Sequence, residues 1–187
     1  MKLLAFAASL RRQSWNRKLI ALAAAIVREA GLEVDLAEFQ EFDMPLYDRD
    51  LQDASGFPPG AVEMQRRVAA ADGLLIASPE YNYSLPGILK NAIDWVSRMS
   101  PMPFRGKSAF LLSASTAQVG GIRGLWQLRI PLEGVGVLVY PDMYALPWAD
   151  KSFDETGELK EKERRDRLRQ MLDGYLATAR KLAGQPG

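Results

Sequence analysis

Between Gly73 and Val96 the chain runs Gly73-Leu74-Leu75-Ile76-Ala77-Ser78, then Pro79-Glu80-Tyr81-Asn82-Tyr83-Ser84-Leu85-Pro86-Gly87, then Ile88-Leu89-Lys90-Asn91-Ala92-Ile93-Asp94-Trp95-Val96. The first six residues form an apolar run as long as a fully buried strand. The last nine repeat apolar residues at three- and four-residue spacing, which predicts a helix. The middle nine are therefore a loop at the C-terminal end of a strand. Pro86 falls close to the first helical turn, where a missing N–H costs nothing. In an open parallel sheet, ligands bind at that edge. Two prolines, an Asn and a Gly also make an ordinary strand-to-helix turn. Two tyrosines, a Glu and an Asn in so short a loop exceed what turning requires, and suit a flat polar-aromatic ligand.

Upstream, Lys2 to Ala7 reads as a buried first strand. Ala8-Ser9-Leu10-Arg11-Arg12-Gln13-Ser14-Trp15-Asn16 follows, then a helix to about Ala30 with Leu19, Ile20, Ala23, Ile26 and Val27 on one face and Gly31 as its stop. Hydroxyl and amide side chains with two arginines at a helix N-terminus make an anion site suited to a phosphate monoester. The same residues could be a Ser14 helix cap with solvated arginines. The glycine fingerprint of dinucleotide-binding folds and P-loops is missing, which argues against a pyrophosphate or triphosphate. Glu33 to Phe39 alternates polar and apolar residues as an outer strand does. Residues 40 to 60 are loop-like, with an apolar and aromatic tip at Met44-Pro45-Leu46-Tyr47-Asp48, and loops of this length often carry function. A helix from about Ala61 to Ala70 leads into the Gly73 strand.

Downstream, Lys107 to Ser113 is the next buried strand, ending in a third small-residue loop, Ala114-Ser115-Thr116-Ala117-Gln118-Val119-Gly120-Gly121. The helix that starts near Ile122 meets Pro131, which should kink or end it. Gly136 to Tyr140 is the fifth strand. Leu168, Met171, Leu172, Tyr175, Leu176 and Ala179 stripe a final helix, whose mixed-charge start, Glu161 to Arg169, alternates in sign as a solvated face does. Five strands alternating with helices predict an α/β fold: a doubly wound, five-stranded parallel sheet of order 2-1-3-4-5, formed by residues 1–187 as one domain. That order makes the first and third strands neighbours. It brings the Ser9–Asn16 loop beside the Pro79–Gly87 loop, with the Ser115 loop next along.

Composition narrows the chemistry. A formal charge of +1 supplies no long-range field for nucleic acid or an anionic membrane, and none of the acidity of an electron-carrier surface. No apolar run reaches membrane-span length. The N-terminus enters a strand after one lysine, without a cleavage-site pattern, so the chain is expected to be cytoplasmic. With no cysteine, disulfides, thiolate catalysis and thiolate metal sites are excluded. With no histidine, the usual neutral-pH base and the commonest zinc ligand are missing. No metal site is expected. Chemistry here needs carboxylates, tyrosines or a cofactor that carries the reaction itself.

Three stretches carry a family resemblance: Ser9-Leu10-Arg11-x-x-Ser14-x-Asn16-Arg17, the block from Pro79 to Trp95, and Ser113-Ala114-Ser115-x5-Gly121. From Lys2 to about Tyr140 the chain resembles the NADPH-dependent FMN reductases, which include quinone, chromate and azo-dye reductases of flavodoxin-like fold. The resemblance implies that Ser9, Arg11, Ser14 and Asn16, with the Trp15 and Asn16 backbone, hold the FMN phosphate. It implies that Pro79, Glu80, Tyr81 and Asn82 border the isoalloxazine, and that Ser115 meets the flavin or its ribityl side. The flavin would take hydride from NADPH or NADH, so no protein catalytic residue is expected, and a small-molecule acceptor would follow. A homo-oligomer, dimer or tetramer, is also expected, with Trp95, Met99 and Met102 and the Met44–Tyr47 tip as its apolar edge. The rival readings are a flavodoxin-type electron carrier without nucleotide turnover, and a ligand-binding module that has lost flavin.

Overall fold

A computed structural model describes residues 1–184. Five parallel strands, β1 (Lys2–Ala7), β2 (Glu33–Ala37), β3 (Gly73–Ala77), β4 (Ser108–Ala114) and β5 (Leu138–Leu146), pair in the order β2-β1-β3-β4-β5. This is the expected sheet. Every residue of β3 and β4 is buried, which is why these segments read as unbroken apolar runs rather than alternating ones. Helices α1 (Trp15–Glu29) and α7 (Lys162–Leu182) cover one face, meeting Leu3, Ala5, Leu75, Phe110 and Leu112. On the other face, α3 (Pro59–Ala70), α4 (Gly87–Val96) and α5 (Ile122–Gly134) cover Leu4, Phe6, Leu74, Ile76 and Leu111. From α7, Tyr175 reaches into the sheet, its hydroxyl within 3.2 Å of Ser108 Oγ and of the Leu74 carbonyl. Two short helices, α2 (Arg49–Ser55) and α6 (Ala149–Ser152), complete the list.

Several boundaries differ from expectation, each for a local reason. β2 stops at Ala37 instead of Phe39, because Phe39–Phe42 winds into a 3-10 turn closed by reciprocal Glu38 and Glu41 caps. Both rings then pack on Phe6, with centroids 5.8 and 6.0 Å away. The 40–60 segment is not a plain loop, since it also holds α2, capped by Asp48, whose Oδ1 accepts from the Asp50 N–H at 2.8 Å. No residue of α2 is buried, so there was no apolar period to read.

Pro131 neither ends nor breaks α5, which runs on to Gly134. An interior proline costs about 3 kcal/mol. Leu132 in the same turn is fully buried, which contributes about 1.5–3 kcal/mol. Arg129, two residues earlier, donates to the Tyr140 carbonyl of β5 at 3.0 Å, so tertiary contacts offset the penalty. The fifth strand is Leu138–Leu146, longer than the expected 136–140, with Pro141 inside it. It is the edge strand, and its pairing with β4 shifts register between Ala109 and Leu111, opposite the Pro141 stretch, where a missing donor is tolerated.

Trp95 does not face an edge. It is fully buried, edge-on to Tyr47 at 5.1 Å, and its Nε1–H donates to the Pro45 carbonyl at 2.8 Å. Asn91 accepts from the Tyr47 N–H at 2.7 Å. The Met44–Tyr47 tip and the α4 aromatic thus satisfy each other within one chain, leaving Leu46 as the exposed apolar residue of that tip.

Candidate functional site

The carboxyl ends of β1, β3 and β4 open into one cleft of about 220 Å³. Pairing Ala7 with Ala77 and Ala77 with Leu112 sets the three following loops side by side. The ladder continues into them: Ala8 N–H donates to the Ala77 carbonyl and Ser78 N–H to the Leu112 carbonyl, both at 2.8 Å. The cleft is lined by Ser9, Arg11, Ser14, Trp15, Asn16, Pro79, Glu80, Tyr81 and Ser115, all expected from sequence. Ala114 and Thr116 line it as well and were not anticipated. Asn82 is the one expected residue outside the lining; it sits exposed at the tip of the neighbouring turn.

At the first loop the backbone is arranged for an anion. Ser14 occupies the N-cap position of α1, yet its hydroxyl makes no capping bond, and the first turn carries no acidic side chain. The α1 ladder begins with Arg17 and Lys18 donating to the Ser14 carbonyl, so the Trp15 and Asn16 N–H groups find no acceptor among the described residues. Free donors at the positive end of a 15-residue helix attract a negative group. Arg17 is paired with Glu38, whereas Arg11 is exposed and meets no carboxylate among the described residues. Trp15 is braced from behind by Phe153, stacked at 6.0 Å and 3°.

The Asn16 side chain serves another purpose. Its Nδ2 donates to the Ala114 carbonyl and its Oδ1 accepts from the Ala114 N–H, each at 2.9 Å, across 98 residues of chain. What Asn16 offers the cleft is its backbone N–H. Ser115 is anchored by its N–H to the Leu146 carbonyl at 3.1 Å and by its carbonyl to the Ala149 N–H at 3.0 Å. Its Oγ accepts from the Ala117 N–H at 3.1 Å and keeps its own proton to donate.

The opposite wall is a tight turn. Tyr81 and Ser84 exchange two backbone hydrogen bonds of 3.0 Å, with Asn82 at φ 49° and Tyr83 at φ 67°. Left-handed backbone at a tyrosine is uncommon and costly, and is tolerated where surroundings fix it. Glu80, its side chain 8% exposed, meets Arg123 at 2.6 Å and accepts from the Gly124 N–H at 3.1 Å. The only sequence signal for Arg123 was its place just after Gly120-Gly121 at a helix start. The clearest pKa displacements lie outside the cleft: Arg66 and Arg67 hold Glu63 down at about 2, and burial pushes Tyr144 up to about 12. Among the described residues no cluster of acidic side chains suits a metal ion.

A parallel doubly wound sheet with a free helix N-terminus and a polar-aromatic turn facing each other at its carboxyl edge defines a flavodoxin-like, mononucleotide-binding protein. The chain belongs to the NADPH-dependent FMN reductase family, which matches it over residues 1–150. It is 38% identical over 186 residues to an NAD(P)H-dependent FMN reductase of Pseudomonas aeruginosa, covering 98% of both chains. It is 35% identical over 169 residues to a quinone reductase of Escherichia coli K12, covering 89% of each. Among solved structures, the FerB flavoenzyme NAD(P)H:(acceptor) oxidoreductase of Paracoccus denitrificans superposes with a TM-score of 0.84. It shares 24% identity, with 96% of this chain and 97% of that one covered. The protein is thus an oxidoreductase that uses FMN and a reduced nicotinamide nucleotide.

Asn16→Ala should loosen the cleft without touching the sheet core. It strands the buried Ala114 N–H and carbonyl, which should cost about 1–3 kcal/mol. Urea unfolding followed by far-UV circular dichroism reads this directly, and a midpoint equal to wild type would show the clamp to be dispensable.

Proposed function

We propose that this protein takes hydride from NADPH or NADH and delivers two electrons to a quinone or a similar small acceptor such as chromate, an azo compound or free flavin. The observation that carries the reading is the uncapped N-terminus of α1 in the same cleft as the Pro79–Tyr81 wall. Ser9, Arg11, Ser14 and the Trp15 and Asn16 N–H groups hold the FMN phosphate. Pro79, Glu80, Tyr81 and Asn82 border the ring, and Ser115 donates toward the ribityl side. Bound FMN supplies the chemistry, since N5 can accept hydride from the nicotinamide, leaving NAD(P)⁺, and two electrons with two protons then turn a quinone into its hydroquinone. The chain's own work is to bind, orient and leave one ring face accessible.

The acceptors follow from the quinone and flavin reductases among its relatives. Residues 1–187 act as one domain, in keeping with α7 packing on the same sheet as the family-matched segment. No described helix is long and apolar enough to cross a membrane, and a cytoplasmic site of action completes the proposal. A homo-oligomer, dimer or tetramer, is supported by Trp126 and Ile130, exposed one turn apart on α5, rather than by the buried Trp95.

Anaerobic mixing with NADPH or NADH should bleach the bound flavin in one two-electron step, and a quinone should restore its colour. Reduction only by a partner protein, one electron at a time, would instead identify an electron carrier. Arg11→Ala should weaken FMN binding roughly ten- to hundredfold, the worth of one charge-assisted phosphate contact at about 1.5–3 kcal/mol, read by flavin titration. Light scattering should give a mass that is a multiple of the 20.8 kDa chain, and a monomer mass at micromolar concentration would remove the oligomer.

A further inference from the structure

Glu80 poses an electrostatic problem that the cleft must solve. Its side chain is 8% exposed, yet it forms part of the wall against which the flavin ring would lie. A carboxylate withdrawn from water needs compensation, and without it the negative charge would act on whatever lies alongside. Two groups supply that compensation, both from the first turn of α5. Arg123 Nε donates to Glu80 Oε1 at 2.7 Å, with Nη2 at 2.6 Å from the same oxygen, and the Gly124 N–H donates to Oε2 at 3.1 Å. The two segments are packed backbone to backbone. A Cβ on Gly124 would lie 3.0 Å from Glu80 Cα and 3.2 Å from the Ser84 carbonyl oxygen.

The same guanidinium has a second contact. Its carbon lies 4.1 Å from the centroid of the Tyr83 ring, at the residue whose backbone sits at φ 67°. A cation over an aromatic face is attractive, and a tyrosine in left-handed conformation needs such support. Arg123 therefore touches both ends of the Glu80–Tyr83 wall, although it does not itself line the cleft.

We propose that Arg123 is a positioning residue for the flavin reaction. It fixes the Glu80–Tyr83 wall and neutralises the Glu80 carboxylate, so that the wall does not repel the electron-rich reduced flavin. The proposal rests on the FMN-reductase reading above. Reducing a ring beside an uncompensated carboxylate is harder than beside a paired one, so the flavin potential depends on Arg123, and the dependence runs through Glu80. A purely structural brace would lack that second property.

The test uses FMN-loaded wild type, R123M, R123K and the double variant E80Q/R123M. Flavin release on dilution, followed by fluorescence, gives affinity, and equilibration with redox dyes gives the midpoint potential. R123M should release FMN at least about tenfold more readily, as expected when a buried carboxylate loses its half-exposed cationic partner, and its potential should move negative. R123K, which keeps the charge, should lie between R123M and wild type. E80Q/R123M should return the potential toward wild type. If R123M holds no flavin, recovery of loading in E80Q/R123M supports the same conclusion, and no recovery overturns it. Wild-type potential in R123M, or a double variant as negative as R123M, also overturns it. Wild-type protein that takes up no FMN would overturn the functional reading together with this one, so the two failures can be told apart.

Discussion

A parallel sheet buried on both faces can satisfy its backbone only by pairing, and the pairing runs out where the strands end. In this chain Ala7, Ala77 and Leu112 end the paired ladder in register, at the point where strand order reverses, and β4 runs on two residues to Ala114. Everything functional hangs from that edge. The loop after β1 enters a helix whose first N–H groups are left free. The loop after β3 folds into a tight turn, and the loop after β4 is sewn to the end of β5. The core below supplies rigidity and the edge supplies chemistry.

The two walls of the cleft solve opposite electrostatic problems. On the α1 side, positive potential is left unspent: Ser14 does not cap, no acid enters the first turn, and Arg11 has no carboxylate partner among the described residues. On the α5 side, the helix N-terminus is taken up from another segment, by Glu80 on the Gly124 N–H. One helix start thus keeps N–H groups without an acceptor among the described residues, and the other is closed by a protein carboxylate. Asn16 couples α1 to β4 neutrally, spending its amide on the Ala114 backbone without adding charge to the α1 start. The roomier apolar cleft elsewhere, between Leu138, Tyr140 and Leu182, has no such convergence of polar groups.

Where reading the sequence failed, the missing quantity was a tertiary contact. Pro131 obeyed no helix-ending rule because Leu132 and Arg129 are held by the core and by β5. Trp95 looked like an interface residue because an aromatic on an amphipathic helix carries no label for what covers it, and Tyr47 covers it here. The Phe39–Phe42 turn was legible in principle, since Glu38 and Glu41 have the spacing of reciprocal caps, but a strand-like alternation upstream masked it. Arg123 carried no more signal than its place after Gly120-Gly121 at a helix start, because its partner Glu80 lies 43 residues away.

Strand order, the location of the cleft and the residue types around it were determined by the sequence alone. Buried parallel strands, helix starts and tight turns each leave a local signature, and the absence of histidine and cysteine removes whole chemistries without reference to shape. Only the tertiary structure decided which polar groups remain free. It left the Ser14 hydroxyl uncapped, spent the Asn16 amide on β4, and set Arg123 against Glu80 and Tyr83. A side chain's chemistry is local, whereas its availability depends on partners brought from distant segments, and those partners are specified only when the sheet closes.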